Sequence, residues 1–200
     1  MRLLCFADVH AGKTALAKLA KAGKSVDYLI NAGDLSLYGS QYESSLKTLL
    51  HAGKKILMIP GNRPHETPED VIRMTKKHHS LINIHKKVYR DGNYVFFGFG
   101  EGGFSFTAPG MEEKARQLKK HLQKDDKVIF VTHAPPYNTP LDYLPWMRSH
   151  RGCKTTIKVI KLLKPVLTIC GHFHETAGKS CKVQQYLIIN PGSHGRIVEI

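Results

Sequence analysis

Two histidines, His172 and His174, stand directly after the apolar run Val166-Leu167-Thr168-Ile169-Cys170, in the stretch Gly171-His172-Phe173-His174. Side chains two apart in extended chain point the same way, so both imidazoles face one side and form a grip for a metal ion. Taken alone, such a pair is more often a set of surface or capped histidines than a metal grip, so the weight falls on the residues at the ends of the other apolar runs. Asp8 and His10 follow Leu3-Leu4-Cys5-Phe6-Ala7, Gly33-Asp34 follows Tyr28-Leu29-Ile30-Asn31-Ala32, Gly61-Asn62 follows Ile56-Leu57-Met58-Ile59, and Thr132-His133 follows Val128-Ile129-Phe130-Val131. Singly, each residue is more often a cap, a turn former or a solvated side chain. Jointly, five run ends deliver Asp, His and Asn, a mixture that suits borderline divalent ions such as Mn, Fe or Zn, whereas calcium asks for more oxygens.

The elements that must position these residues alternate. Short strands over 3–7, 28–32 and 56–59 are separated by helices near 14–22 and 41–50, which predicts a parallel sheet with right-handed crossovers. After a helix over 69–79, the runs 88–90 and 94–99 flank Asp91-Gly92-Asn93, a hairpin signal that brings in antiparallel pairing. A charged helix over 112–123 leads to the strand 128–131, a Pro-rich and aromatic loop spans 134–153, and a helix over 154–163 precedes the strand 166–170. The runs 186–189 and 196–200 close the chain around the turn Asn190-Pro191-Gly192-Ser193. In open α/β sheets, ligands bind outside the carboxyl ends of the strands, which is where the candidate ligands stand.

The 200 residues fit one domain over 1–200, large enough to bury a core without staples. Four cysteines without a CxxC spacing read as reduced thiols in a cytoplasmic protein, and no apolar run is long enough to span a membrane. A zinc knuckle from Cys170, His172, His174 and Cys181 is a lesser alternative with irregular spacing. The net charge of +14 favours polyanionic partners, nucleic acid among them, with a lysine-rich solvated surface as the plain alternative. Self-association stays open. A second motif competes at the start, because Ala7-Asp8-Val9-His10-Ala11-Gly12-Lys13-Thr14 matches a relaxed P-loop. That reading puts the Asp8 carboxylate beside the phosphates it must cradle, and it leaves His133, His172 and His174 without a role.

The ordered set Asp8-Val9-His10, Gly33-Asp34, Gly61-Asn62, Thr132-His133 and Gly171-His172-Phe173-His174 resembles the calcineurin-like metallophosphoesterase superfamily. Thr132-His133-Ala134-Pro135-Pro136-Tyr137 and Asn190-Pro191-Gly192-Ser193 are similar to its small single-domain prokaryotic (archaeal-type) branch. The resemblance implies two packed mixed β-sheets flanked by helices, a four-layer αββα sandwich. It implies two divalent metal ions, Mn first and Fe, Zn, Ni or Co as alternatives, one held by Asp8, His10, Asp34 and His174, the other by Asn62, His133 and His172, with Asp34 bridging. A hydroxide between the metals would attack phosphorus in a phosphodiester or, second, a phosphomonoester of a small phosphorylated molecule or nucleotide. Many relatives place a general-acid His after the Asn, but here Arg63-Pro64 follows Asn62. Arg63 stays protonated and clamps phosphate, while His65 is the candidate acid two residues late. The glycine-rich stretch around Gly100 and the aromatic Tyr137 are candidate substrate contacts, with Tyr143 and Trp146 as further stacking candidates. A nuclease and a metal-binding interaction module are the two competing functions.

Overall fold

The computed structural model describes residues 1–37, 41–62 and 66–200. Its first sheet runs β13-β1-β2-β3-β4, built from β1 (Arg2–Phe6), β2 (Tyr28–Asn31), β3 (Lys55–Met58), β4 (Leu81–Asn83) and β13 (Arg196–Glu199). The second runs β11-β12-β10-β7-β6-β5, built from β5 (Val88–Asp91), β6 (Tyr94–Phe99), β7 (Lys127–Thr132), β10 (Leu167–Ile169), β11 (Ser180–Val183) and β12 (Tyr186–Ile189). β1 to β4 pair in parallel, as do β6, β7, β10 and β12, while β13, β5 and β11 join as antiparallel edges.

The central strands are apolar at nearly every position because both faces are buried. In β1, Leu4 and Phe6 pack with α1 (Lys13–Gly23), α2 (Tyr42–Leu50) and α3 (Pro68–Lys77), while Leu3 and Cys5 turn to the space between the sheets. In β7, Ile129 and Val131 meet that same middle layer, and Val128 and Phe130 pack with α4 (Met111–Lys119) and α5 (Lys154–Leu163). The result is the four-layer αββα sandwich.

Three expectations change. The strands β4 and β11 lie in stretches without apolar alternation and form as short additions to the sheets. The loop 134–153 contains a two-residue hairpin, β8 (Tyr143–Leu144) with β9 (Ser149–His150). The charged helix ends at Lys119, earlier than the pattern over 112–123 predicts, because the chain turns through His121 and Asp126 toward β7. The basic residues Lys154, Lys158 and Lys161 lie on the exposed face of α5, as a solvated helix face does. No described helix is long and apolar enough to cross a membrane.

Candidate metal centre

Each candidate ligand follows a central parallel strand: Asp8 and His10 after β1, Asp34 after β2, Asn62 after β3, His133 after β7, His172 and His174 after β10. The backbone turns abruptly at these points. Asp8, His10, Asp34 and His172 all have φ between +47° and +72°, a region that side-chain-bearing residues seldom adopt. Small residues make room for the turns. A Cβ at Gly61 would lie 1.8 Å from Oδ1 of Asp34, and one at Gly171 would lie 2.8 Å from Oδ2 of Asp8.

The ligand loops are tied directly together, across the two sheets and within the first. The His172 N–H donates to both carboxylate oxygens of Asp8 at 3.1 and 2.9 Å, and the Asn62 N–H donates to Oδ1 of Asp34 at 3.0 Å. Burial pushes the Asp8 carboxyl above its usual range; His133 and His174 oppose this and Asp34 adds to it. Across the site, Nε2 of His10 and Nε2 of His174 approach to 3.2 Å, and Nε2 of His174 stands 3.9 Å from Oδ1 of Asp8.

His133 is fully buried, and its Nδ1 lies 2.9 Å from the Ala32 carbonyl oxygen, so Nδ1–H donates there. Nε2 then faces Oδ1 of Asn62 at 2.9 Å and Oδ2 of Asp34 at 3.5 Å. Nε2, the Asn62 amide and the Asp34 carboxylate therefore converge on one point, a place that a proton or a metal ion can occupy. Burial pulls the His133 pKa down, but the Asp34 and Asp8 carboxylates and the Ala32 carbonyl outweigh it and hold it up at about 9. Donor atoms of Asp8, His10 and His174 lie within 4.8 Å of one another, as do those of Asp8, Asp34 and His133. A donor set of imidazoles and carboxylates clustered this closely fits borderline divalent ions. Asp8 is common to both groups, although the resemblance casts Asp34 as the bridge.

Other sequence candidates fall elsewhere. The P-loop alternative fails because its N–H groups are spent: Asp8, His10 and Ala11 donate to the carbonyls of Gly33, Asp34 and Leu35 at 3.0, 3.1 and 2.8 Å. Cys170 is fully buried and its thiol faces the Ile189 carbonyl at 3.4 Å, apart from both donor groups. Gly100 presses its backbone on Pro60 and donates its N–H to Nδ1 of His85 at 2.9 Å. Tyr137 packs edge-on to Phe106 beneath the Lys154 ammonium. Arg63 and His65 lie outside the described residues.

Glu66, which carries no sequence signal, and Asn190, which the sequence marks only as part of a turn motif, hold the candidate centre in place. The Glu66 carboxylate accepts N–H groups from Leu35, Ser36 and Gly61, and so ties the turn of Asp34 to that of Asn62. Its burial, with Asp34 nearby, raises its pKa to about 7. The amide of Asn190 donates to the Phe173 carbonyl and Thr176 hydroxyl at 3.0 Å and accepts from Gly192 N–H at 3.1 Å, which fixes the histidine loop.

The family model for calcineurin-like phosphoesterases matches residues 1–176. The chain belongs to this family. An uncharacterized protein, MJ1162, of Methanocaldococcus jannaschii is 29% identical to this calcineurin-like phosphoesterase over 199 residues, covering 96% of this chain and 88% of the relative. Among solved structures, TT1561 of Thermus thermophilus superposes with a TM-score of 0.74 at 19% identity, covering 96% of this chain and 88% of the other. A purple acid phosphatase from yellow lupin superposes with a TM-score of 0.64 at 12% identity, covering 98% of this chain and 44% of the other. Both likenesses show the shared fold. Members of the calcineurin-like family hold a dinuclear divalent centre and act on phosphorylated substrates, and the donor groups described above are this chain's candidates for that centre.

Proposed function

We propose that this chain, as one domain over residues 1–200 working in the cytoplasm, hydrolyses a phosphodiester of a small molecule at two divalent ions. Asp8, His10, Asp34, Asn62, His133, His172 and His174 hold them, with Mn the first expectation. The observation that carries this reading is the convergence of His133 Nε2, Asn62 Oδ1 and Asp34 Oδ2 on one point, beside a second group of Asp8, His10 and His174 whose donor atoms lie within 4.8 Å of one another. When bound, the ions supply Lewis acidity to the phosphoryl oxygens and lower the pKa of the attacking water.

The chain's own residues do the positioning. The Ala32 carbonyl fixes the tautomer of His133, and the Asn62 N–H holds the Asp34 carboxylate. Outside the ligands, the described lining of the pocket above them carries one charged side chain, Glu175. A singly charged diester suits that lining better than a dianionic monoester or a run of phosphates does.

The test is hydrolysis of bis(4-nitrophenyl) phosphate and 4-nitrophenyl phosphate by chelator-stripped protein with Mn restored, with Asp34→Asn alongside. Expected is metal-dependent turnover, faster on the diester, reduced at least about a hundredfold in the variant. Failure of the stripped protein to bind Mn in calorimetry overturns the reading.

A further inference from the structure

The pocket over the candidate centre holds about 440 Å³, and Trp146, Phe104 and Leu144 line it together with His10, His172 and His174. The two most exposed large hydrophobic side chains among the described residues both belong to it, Trp146 at 68% and Phe104 at 57%. Scattered exposed hydrophobics need no explanation, but the two extremes meeting in one cavity beside a candidate metal site do.

Trp146 is presented, not merely left out. It sits at the tip of the β8–β9 hairpin, whose turn is closed by Met147 N–H to the Leu144 carbonyl at 3.1 Å and Arg148 N–H to the Pro145 carbonyl at 3.2 Å. The base of the hairpin is clamped by the fully buried Asp142, which accepts from Thr139 N–H and Gly152 N–H, each at 2.8 Å, and lies 2.7 Å from Nδ1 of His150. The indole N–H donates to Glu175 at 3.0 Å, one residue beyond His174. Its edge is therefore pinned while its face stays open. Phe104, which also lines the pocket, stands edge-on to the His172 ring with centroids 4.7 Å apart.

We propose that Trp146 determines specificity by stacking a planar aromatic group that is ester-linked to the phosphoryl group at the metal centre. The inference rests on the proposed function and adds the chemical class of what the phosphate carries. A pinned indole face offers a planar ring dispersion and quadrupole contacts that a saturated ring of equal size lacks. Glu175 beside it disfavours a second phosphate at that end, so the ring arrives on one phosphoryl group and not within a polyanion.

The probes are phenylphosphonate and cyclohexylphosphonate, which share a head group and differ in planarity, used as competitors of diester hydrolysis by the Mn-loaded protein. Expected is about tenfold tighter competition by phenylphosphonate, a preference that collapses in Trp146→Ala and is largely kept in Trp146→Phe. Trp146 is the only tryptophan in the chain, so phenylphosphonate should also change its emission in protein loaded with Zn, and cyclohexylphosphonate should not. Adenosine 5′-monophosphate as a third competitor separates the sources: tighter competition than phenylphosphonate points to a nucleoside, weaker to a simple aryl group. Equal affinity for the two phosphonates, or a preference surviving in Trp146→Ala, overturns this inference while metal-dependent turnover persists. Loss of metal-dependent turnover altogether overturns the reading on which it rests.

Discussion

Nε2 of His133 stands 3.5 Å from Oδ2 of Asp34 with its other ring nitrogen already committed to the Ala32 carbonyl, so under the proposed ligand set a proton and a metal ion would compete for one position. Without metal, the carboxylates keep that proton on to about pH 9 against the pull of burial. A metal ion bound there would displace it.

The affinity for Mn or Zn should therefore rise with pH through neutrality and level off above about 9, with close to one proton released per site from this histidine at pH 7. Calorimetry in buffers of different ionisation enthalpy measures the release. The metal-free fold has the matching dependence. Because the folded pKa lies above the unfolded one, the stabilisation is full below about 6.5 and is lost as pH rises through 9. A pH-independent affinity would show that His133 is no ligand.

Gly61→Ala should disable the site through space alone. The added Cβ would lie 1.8 Å from Oδ1 of Asp34 and 2.4 Å from its backbone nitrogen, so the Asp34 turn must move. Metal affinity should fall by at least about tenfold, the lower end of what disturbing a ligand's supports costs, and stability by about 2 kcal/mol or more. Gly53→Ala is the control, since its Cβ meets nothing within 4 Å. That variant pays only the strain of a left-handed residue, about 1 kcal/mol, and should keep its metal. Urea unfolding and metal titration of both variants decide the matter.

His85 gives a separate acid-side signal. Its pKa is depressed to about 4, first by burial and then by Lys86, with Glu101 opposing, and its Nδ1 already accepts the Gly100 N–H. A histidine whose folded pKa lies below the unfolded value is protonated more readily in the unfolded chain. Its contribution is full above about pH 6.5 and is lost as pH falls toward 4, at up to about 1.4 kcal/mol per pH unit. Glu66, raised to about 7, drives stability the other way over part of this range, so the informative quantity is a difference. Stability of the parent minus that of His85→Gln, followed from pH 7 to 4.5, should shrink; a constant difference would refute the assignment.

Much of this architecture was legible because parallel strands buried on both faces write themselves as continuous apolar runs. The β1, β2, β3, β7 and β10 runs announced themselves, and the residues just beyond them were the candidate ligands. What stayed hidden has a physical reason in each case. β4 and β11 are short edge or near-edge pairings whose side chains alternate in no clear pattern. Glu66 acts through backbone N–H groups of distant loops, a role that leaves no local spacing to detect, and Asn190 was visible as a turn motif while its hold on Phe173 and Thr176 was not. Gly100 itself packs against Pro60 and His85, a placement that follows from tertiary packing alone, while Phe104 at the end of the same glycine-rich stretch lines the pocket. The aromatic loop promised stacking without saying which ring faces the cavity; the hairpin presents Trp146 there and turns Tyr137 toward Phe106.

The left-handed turns at Asp8, His10, Asp34 and His172 also bear on how such a chain can change over generations. Each holds a side chain where glycine would be more comfortable by about 1 kcal/mol or more. At half-exposed His10, replacement by glycine relaxes the backbone while deleting a donor, so drift toward a sturdier fold and drift away from metal run in the same direction. A lineage under selection for durability alone would shed the centre and keep the sandwich. Histidine and aspartate at these four corners therefore cost the metal-free fold stability, a cost that a bound ion would offset by binding the folded chain alone.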